Sequence, residues 1–130
     1  MTGSDLLRKT LQIILAVLAL IPLGFGLMNL LGGAGRFLPD EAVTAAMDSQ
    51  FRFQSAWYLG LVGLIIWIIP RIERERMLFT IIILSLFVGG LGRAYAWATL
   101  GAPPLGMQIG MALELVLPLL LWLQARVARS

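Results

Sequence analysis

The hydrophobic positions of the chain fall into four long runs separated by short polar segments. The runs cover roughly residues 11–31, 53–69, 77–100 and 105–123. A helix needs about 20 apolar residues, at about 1.5 Å each, to cross about 30 Å of hydrocarbon. Barrel strands would alternate apolar and polar residues, whereas these runs are continuous. The pattern predicts an all-α integral membrane four-helix bundle, with residues 1–130 as a single domain.

The composition agrees with a membrane protein and narrows the chemistry. Hydrophobic residues make up 59% of the chain and charged residues 13%, against about 25% charged residues in soluble domains. The chain contains neither Cys nor His, which excludes disulfides, thiolate or imidazole metal ligands, and the usual nucleophile and base pairs. We therefore expect no metal, no cofactor, no catalytic residues and no nucleic-acid partner, and an enzyme is the less favoured class.

A cleaved signal peptide is the alternative for the first run. Arg8 and Lys9 precede the run, and it ends in the small residues 32–34. Signal-peptide apolar regions are only about 7 to 15 residues long. The first run is longer and contains the polar Asn29 near its end, so a retained span is favoured.

The basic residues predict the orientation of the spans. With four spans, seven of them fall on one side: Arg8, Lys9, Arg71, Arg74, Arg76, Arg126 and Arg129. The positive-inside rule makes that side cytoplasmic. Both termini are then cytoplasmic, and the protein is expected to be a multi-pass protein of a bacterial cytoplasmic (inner) membrane.

The longer of the two outer segments is expected to contain a short amphipathic helix. Pro39, Asp40 and Glu41 favour a helix N-terminus. The apolar residues that follow helical spacing are Leu38, Ala42, Val43, Ala46 and Met47. Such a helix would lie on the outer membrane surface.

Three of the predicted helices carry one charge each, on the same helix face as small residues that are four positions apart. Small residues at this spacing allow helices to approach closely in lipid, so we expect these faces to point into the bundle. The charged residues are Arg52, Arg93 and Glu114, and the glycines predicted to pack between helices are Gly60, Gly89, Gly106 and Gly110.

The three charges define the candidate site. Counting along the helices places Arg93 in the outer third of the membrane and Glu114 near its middle. Further polar side chains in the same outer half are Asn29, Gln54, Tyr58, Tyr95 and Gln108. We therefore expect a polar site that faces outward.

Two interpretations of this site remain open. A charge in the bilayer needs a partner, and Arg93 and Glu114 form the simplest ion pair. Alternatively, Arg52 adds a surplus positive charge, and the site then binds an anionic group such as a lipid phosphate or a carboxylate.

Several short motifs resemble a known family. They are Phe51-Arg52-Phe53, Trp57-Tyr58-Leu-Gly60 before a span ending at Pro70, Phe87-Val-Gly-Gly-Leu-Gly-Arg93, Gly101-Ala-Pro103 and Glu114-Leu115. Together they resemble the bacterial membrane protein family described as domain of unknown function 4345. The resemblance implies a small four-helix membrane protein in which Arg52, Arg93 and Glu114 occupy recurring positions. It implies no reaction.

The expected function follows from the site and the size of the chain. We expect a non-enzymatic binding or accessory protein that contacts membrane lipids and engages an anionic lipid or a partner membrane protein. A chain this small is also expected to form a homo-oligomer or join a membrane complex. The alternative is a transporter or channel component in which Glu114 gains and loses a proton.

Overall fold

The computed structural model describes residues 2–129, and within that range every regular element is helical. The five α-helices are α1 (Gly3–Gly32), α2 (Ala45–Ile68), α3 (Arg76–Leu100), α4 (Leu105–Val116) and α5 (Pro118–Arg129). Helices α1, α2 and α3, and the consecutive pair α4 and α5, provide four segments long and apolar enough to cross a membrane. The protein is thus an all-α multi-pass membrane protein, as the hydrophobic pattern predicts.

Helix α1 begins eight residues before the predicted span, because its N-terminus is capped. The Thr2 hydroxyl accepts a hydrogen bond from the Asp5 amide at 3.2 Å, and the Thr2 amide donates to Asp5 Oδ2 at 3.2 Å. This reciprocal capping box satisfies free N–H groups of the first turn. At 30 residues, α1 is about 45 Å long, so it is longer than the hydrocarbon layer is thick.

Helix α2 also begins earlier than expected, at Ala45. Thr44 is extended and its hydroxyl accepts a hydrogen bond from the Met47 amide at 3.1 Å, which caps the helix. The preceding residues form two 3-10 turns, Ala34–Arg36 and Asp40–Ala42. The amphipathic helix expected to run on to Met47 is therefore interrupted: Val43 is extended, and Met47 belongs to the first turn of α2.

The corner between α3 and α4 is tight, as the Gly-Ala-Pro-Pro sequence predicts. Gly101 ends α3 with a φ of 98°, a backbone conformation that side chains disfavour. Pro104 then precedes the first turn of α4, where its fixed φ is compatible with a helix start.

The helical hydrogen bonding of the fourth span breaks in the middle, although Leu117 keeps a helical backbone conformation, with φ −54° and ψ −34°. Leu117 separates α4 from α5, and Pro118 is the first residue of α5. A proline has no amide hydrogen and its ring clashes with the carbonyl four residues back. The break therefore leaves the Glu114 carbonyl without its helical donor.

The chain divides into two compact units, each described by itself. Unit one comprises residues up to Leu11 and from Arg71 onward, and in it α3 packs against both α4 and α5. The buried positions of α3 are Phe79, Ile82, Ile83 and Gly90. These positions share one helix face, which forms the apolar contact surface of α3.

A buried glutamine supports the start of α3 in unit one. The side chain of Gln124 on α5 is only 2% exposed, and its Nε2 donates to the Ile72 carbonyl at 3.0 Å. This bond satisfies a carbonyl that the helices leave without a donor. At the surface, Arg8 Nη1 lies 3.3 Å from Glu73 Oε1.

Unit two comprises residues 12–70. Helices α1 and α2 approach closely at Gly26, where a Cβ atom would lie 3.1 Å from the Ser55 carbonyl and 2.9 Å from a methyl of Leu59. Nearer the end of α2, Gln12 Nε2 donates to the Ile69 carbonyl at 2.8 Å. The hydrogen bond of Gln12 and the small residue at 26 are two points of contact between these segments of unit two.

Candidate functional site

The first charged cluster is an ion pair between α3 and α4 in unit one. Arg93 Nε lies 3.4 Å from Glu114 Oε2, and the two side chains are 33% and 15% exposed. Arg93 Nη1 also donates to the Met107 carbonyl at 3.4 Å. Both distances are long for contacts of a guanidinium, which bonds carboxylates at about 2.7 to 2.9 Å. The ion pair is present, but its N–O distance is longer than usual, and we call this long distance the loose closure of the pair.

The carboxylate of this pair is incompletely satisfied. Glu114 Oε2 is buried and accepts no hydrogen bond from the part of the chain that the structure describes, although Arg93 is close to it. A buried carboxylate oxygen without a hydrogen bond carries a desolvation penalty. The oxygen therefore has an unused capacity to accept a hydrogen bond.

Glycines make the space for this pair. A Cβ on Gly90 would lie 3.0 Å from Glu114 Cβ and 3.2 Å from a methyl of Leu115, and one on Gly110 would lie 3.4 Å from Arg93 Nη1. Larger residues would push α3 and α4 apart or displace the charged groups. The absence of side chains at these two positions lets the pair lie between the helices.

The predicted packing glycines differ in their surroundings. A Cβ on Gly89 would reach Glu114 Oε2 at 4.0 Å, whereas the described part of the chain puts nothing within 4 Å of one on Gly60. Gly106 is partly buried. Close approaches between two long helices occur at Gly90 and Gly26, which the four-residue spacing did not single out.

The second charged cluster lies in unit two around Arg52. Its Nε lies 2.8 Å from Asp48 Oδ2, one turn earlier on α2. Its Nη1 donates to the carbonyls of Leu30 at 2.9 Å and Leu31 at 3.0 Å. The Arg52 guanidinium thus caps the last turn of α1, whose carbonyls lack helical donors.

Asp48 and a glycine complete the Arg52 cluster. Asp48 Oδ1 accepts a hydrogen bond from the Ala34 amide at 3.0 Å. Gly33 has a φ of 66°, and a Cβ there would overlap Asp48 Oδ1 and lie 2.7 Å from Arg52 Nη2. This backbone conformation is essentially restricted to glycine. The cluster therefore fixes the turn that follows α1.

The five supporting polar residues have separate environments. In unit two, Asn29 Oδ1 accepts from Arg36 Nη1 at 2.6 Å, while Gln54 is exposed and Tyr58 partly buried. In unit one, Gln108 Nε2 donates to the Pro103 carbonyl at 2.8 Å, and Tyr95 is 73% exposed. Asn29 and Gln108 thus bond to loop groups next to their own helices, as local caps do.

Sequence reasoning missed Asp48, Gly33 and Pro118. The first has a readable signal, because Asp48 and Arg52 are four residues apart and pair once α2 is extended to Ala45. Pro118 is visible inside the fourth hydrophobic run. The role of Gly33 depends on its φ and its neighbours, which the sequence does not contain.

The described residues hold no cluster of three or more Asp and Glu side chains that suits a metal ion. The two clusters instead combine guanidinium groups with single carboxylates. Such arrangements bind anions or exchange protons.

A family model described as a domain of unknown function (DUF4345) matches residues 10–124. The match covers the second and third candidate spans, most of the first and fourth, and both charged clusters. No curated protein and no solved structure matches the chain.

Proposed function

The chain belongs to the family described as domain of unknown function 4345. Because that description gives no function, we propose one from the geometry of the chain itself. The protein is a non-enzymatic binding or accessory protein of a bacterial cytoplasmic membrane. It engages an anionic lipid through the guanidinium of Arg93. Partner membrane proteins, or further copies of the chain, assemble around this bound state.

The observation that supports this proposal is the loose closure of the Arg93–Glu114 pair. Both contacts of Arg93 given above measure 3.4 Å, and a third of its side chain is exposed. An arginine in a span is costly unless its charge is compensated. A phosphate oxygen would supply shorter, charge-assisted hydrogen bonds than Glu114 provides.

Lipid binding is tested with purified protein in detergent. Native mass spectrometry counts bound phosphatidylglycerol and the neutral phosphatidylcholine for the wild type and for Arg93→Gln. We expect phosphatidylglycerol to be retained by the wild type and lost from Arg93→Gln. Arg74→Gln, which removes an exposed charge from the α2–α3 corner, is the matched control and should retain it. Equal retention of both lipids by all three proteins would refute the proposal, and copurification of a stoichiometric protein would point to a protein partner.

The proposed orientation places the termini and the α2–α3 corner in the cytoplasm. It rests on the seven basic residues on one side of the spans. Because the chain has no Cys, single cysteines report accessibility without background. In intact cells, a membrane-impermeant maleimide should label Gly35→Cys and leave Arg74→Cys unlabelled. The reverse labelling pattern would show that the orientation is opposite to the proposed one.

A second candidate function has its own supporting observation. Glu114 lies one turn before the break at Pro118, and its buried oxygen accepts no hydrogen bond from the described residues. A titratable group within a span is typical of ion and proton pathways. A transporter or channel component would carry protons across liposomes, and Glu114→Gln would abolish that flux. Flux unaffected by the substitution would exclude this role for Glu114.

A further inference from the structure

The charged residues within the packed helices of unit one are few, which limits the partners available to Glu114. Between Met77 and Val116 the only ionic side chains are Arg93 and Glu114. The other titratable residue of that stretch, Tyr95, is 73% exposed. On α5, which also packs against α3, the charged residues are Arg126 and Arg129, both in its last turn.

The close packing of Glu114 against α3 restricts which other hydrogen-bond donors its side chain can reach. Its Cβ would lie 3.0 Å from a Cβ on Gly90, so α3 covers this side of the residue closely. Its Oε2 is buried against the same helix and has Arg93 as its cation at 3.4 Å. If Arg93 turns to another anion, Glu114 loses the charge that favours its ionised form.

We propose that an anionic phosphate group and the Glu114 carboxylate compete for Arg93, so that binding of the phosphate group is coupled to uptake of one proton by Glu114. This inference rests on the proposed binding function and adds its regulation. Before binding, the Arg93 cation is balanced by the Glu114 carboxylate. After binding, it is balanced by the phosphate oxygen, and a proton from water resides on a Glu114 oxygen.

The net charge of the site is unchanged by this exchange, which is the physical reason for the coupling. A second unpaired anion among apolar side chains would carry a desolvation penalty that a neutral carboxylic acid avoids. The coupling is reciprocal, so protonation of Glu114 strengthens binding of the phosphate group. With one proton taken up, affinity rises at most about tenfold for each unit that the pH falls.

The coupling is tested by titrating the detergent-purified protein with short-chain phosphatidylglycerol. Calorimetry in two buffers of different ionisation enthalpy gives the number of protons taken up per bound lipid. The wild type should take up about one proton. Glu114→Gln should bind at least as tightly, take up none, and show no dependence of affinity on pH. Glycerol phosphate, titrated in parallel, distinguishes a free phosphate ester from a lipid headgroup.

Each outcome separates the two proposals. Proton uptake of zero by a wild type that binds phosphatidylglycerol overturns the coupling alone, even where Glu114→Gln fails to fold. Weaker binding by a folded Glu114→Gln also overturns it, because the carboxylate would then assist the ligand. Arg93→Gln should lose binding and proton uptake together, and full binding by this variant overturns the binding function as well.

Discussion

The two charged clusters differ in the lengths of the contacts that their arginines, Arg52 and Arg93, make. The contacts of Arg52 with Asp48 and with two carbonyls of α1 measure 2.8 to 3.0 Å. The contacts of Arg93 with Glu114 and with the Met107 carbonyl measure 3.4 Å. Arg52 closes a helix end, whereas Arg93 lies along a span beside a carboxylate.

The difference lies in what each guanidinium contacts: Arg52 bonds to the end of α1, and Arg93 is the residue proposed to bind the ligand. Carbonyls at a helix end need donors, and Arg52 supplies them in a fixed fork geometry. Exchange of those bonds for a ligand would expose the end of α1. An anion that replaced the two 3.4 Å contacts of Arg93 would displace longer contacts than those of Arg52. The comparison favours Arg52 as a structural residue and Arg93 as a binding residue.

The largest expected effect is on the turn beneath Arg52. Gly33→Ala forces a side chain into a φ of 66° and against Asp48, so the free energy of unfolding should fall by about 3 kcal/mol. Thermal unfolding in detergent, followed by circular dichroism, measures the loss. Gly35→Ala is the control, because a Cβ there meets no described atom within 4 Å. Equal free energies of unfolding for the two variants would contradict a structural role for the Arg52 cluster.

Arg52→Gln should have the next largest effect. The variant leaves the Leu30 and Leu31 carbonyls without their charged donor, and the free energy of unfolding should fall by about 2 kcal/mol. Lys at this position should recover only part of the loss, since an ammonium lacks the planar fork. The same unfolding measurement applies. If Arg52→Gln keeps the stability of the wild type but loses phosphatidylglycerol binding, Arg52 and not Arg93 would be the residue that binds the lipid.

Gly90→Ala tests the close approach beside Glu114. The added methyl would meet Glu114 Cβ at 3.0 Å and Leu115 at 3.2 Å, and we expect a loss of about 1 kcal/mol through overpacking. Gly92→Ala is the matched control, with nothing among the described atoms within 4 Å. If both variants unfold at the wild-type temperature, α3 and α4 are less tightly packed at the pair than the distances indicate.

The smallest effect should follow removal of both charges of the loose pair. In Arg93→Gln combined with Glu114→Gln neither charge is left without its partner, and replaced ion pairs are often close to neutral in stability. We expect a change within about 0.5 kcal/mol, measured by the same unfolding assay. A loss as large as that of Arg52→Gln would show that the pair, like Arg52, is primarily structural.

Much of the fold follows from the hydrophobic pattern. Four apolar runs long enough to span a membrane become the four candidate spans, and the Gly-Ala-Pro-Pro corner ends α3 where it was expected to. The boundaries were less predictable. Thr2 and Thr44 extend α1 and α2 beyond their apolar parts, because capping stabilises polar turns that hydropathy alone assigns to loops.

The candidate site was predictable in part. Arg93 and Glu114 were identified as candidate partners from their helix positions, and their side chains lie next to each other. The predicted grouping of both with Arg52 stays a prediction, while Asp48 emerges as the partner of Arg52. The second hydrophobic run begins at residue 53, so the hydrophobic pattern places Asp48 in the preceding loop, and its four-residue spacing from Arg52 becomes meaningful only because α2 begins at Ala45.

By itself, the sequence determined that this is a membrane protein and how many spans it has. The reason is that the apolar area and the length of a helical segment decide whether it enters a bilayer. It also restricted the chemistry to arginine and carboxylate groups. Only the tertiary structure decided that Arg52 contacts Asp48 and the end of α1, and that Arg93 contacts Glu114. Hydrogen-bond distances and the left-handed turn at Gly33 depend on how helix ends meet within each unit, and no periodicity along the chain encodes those contacts.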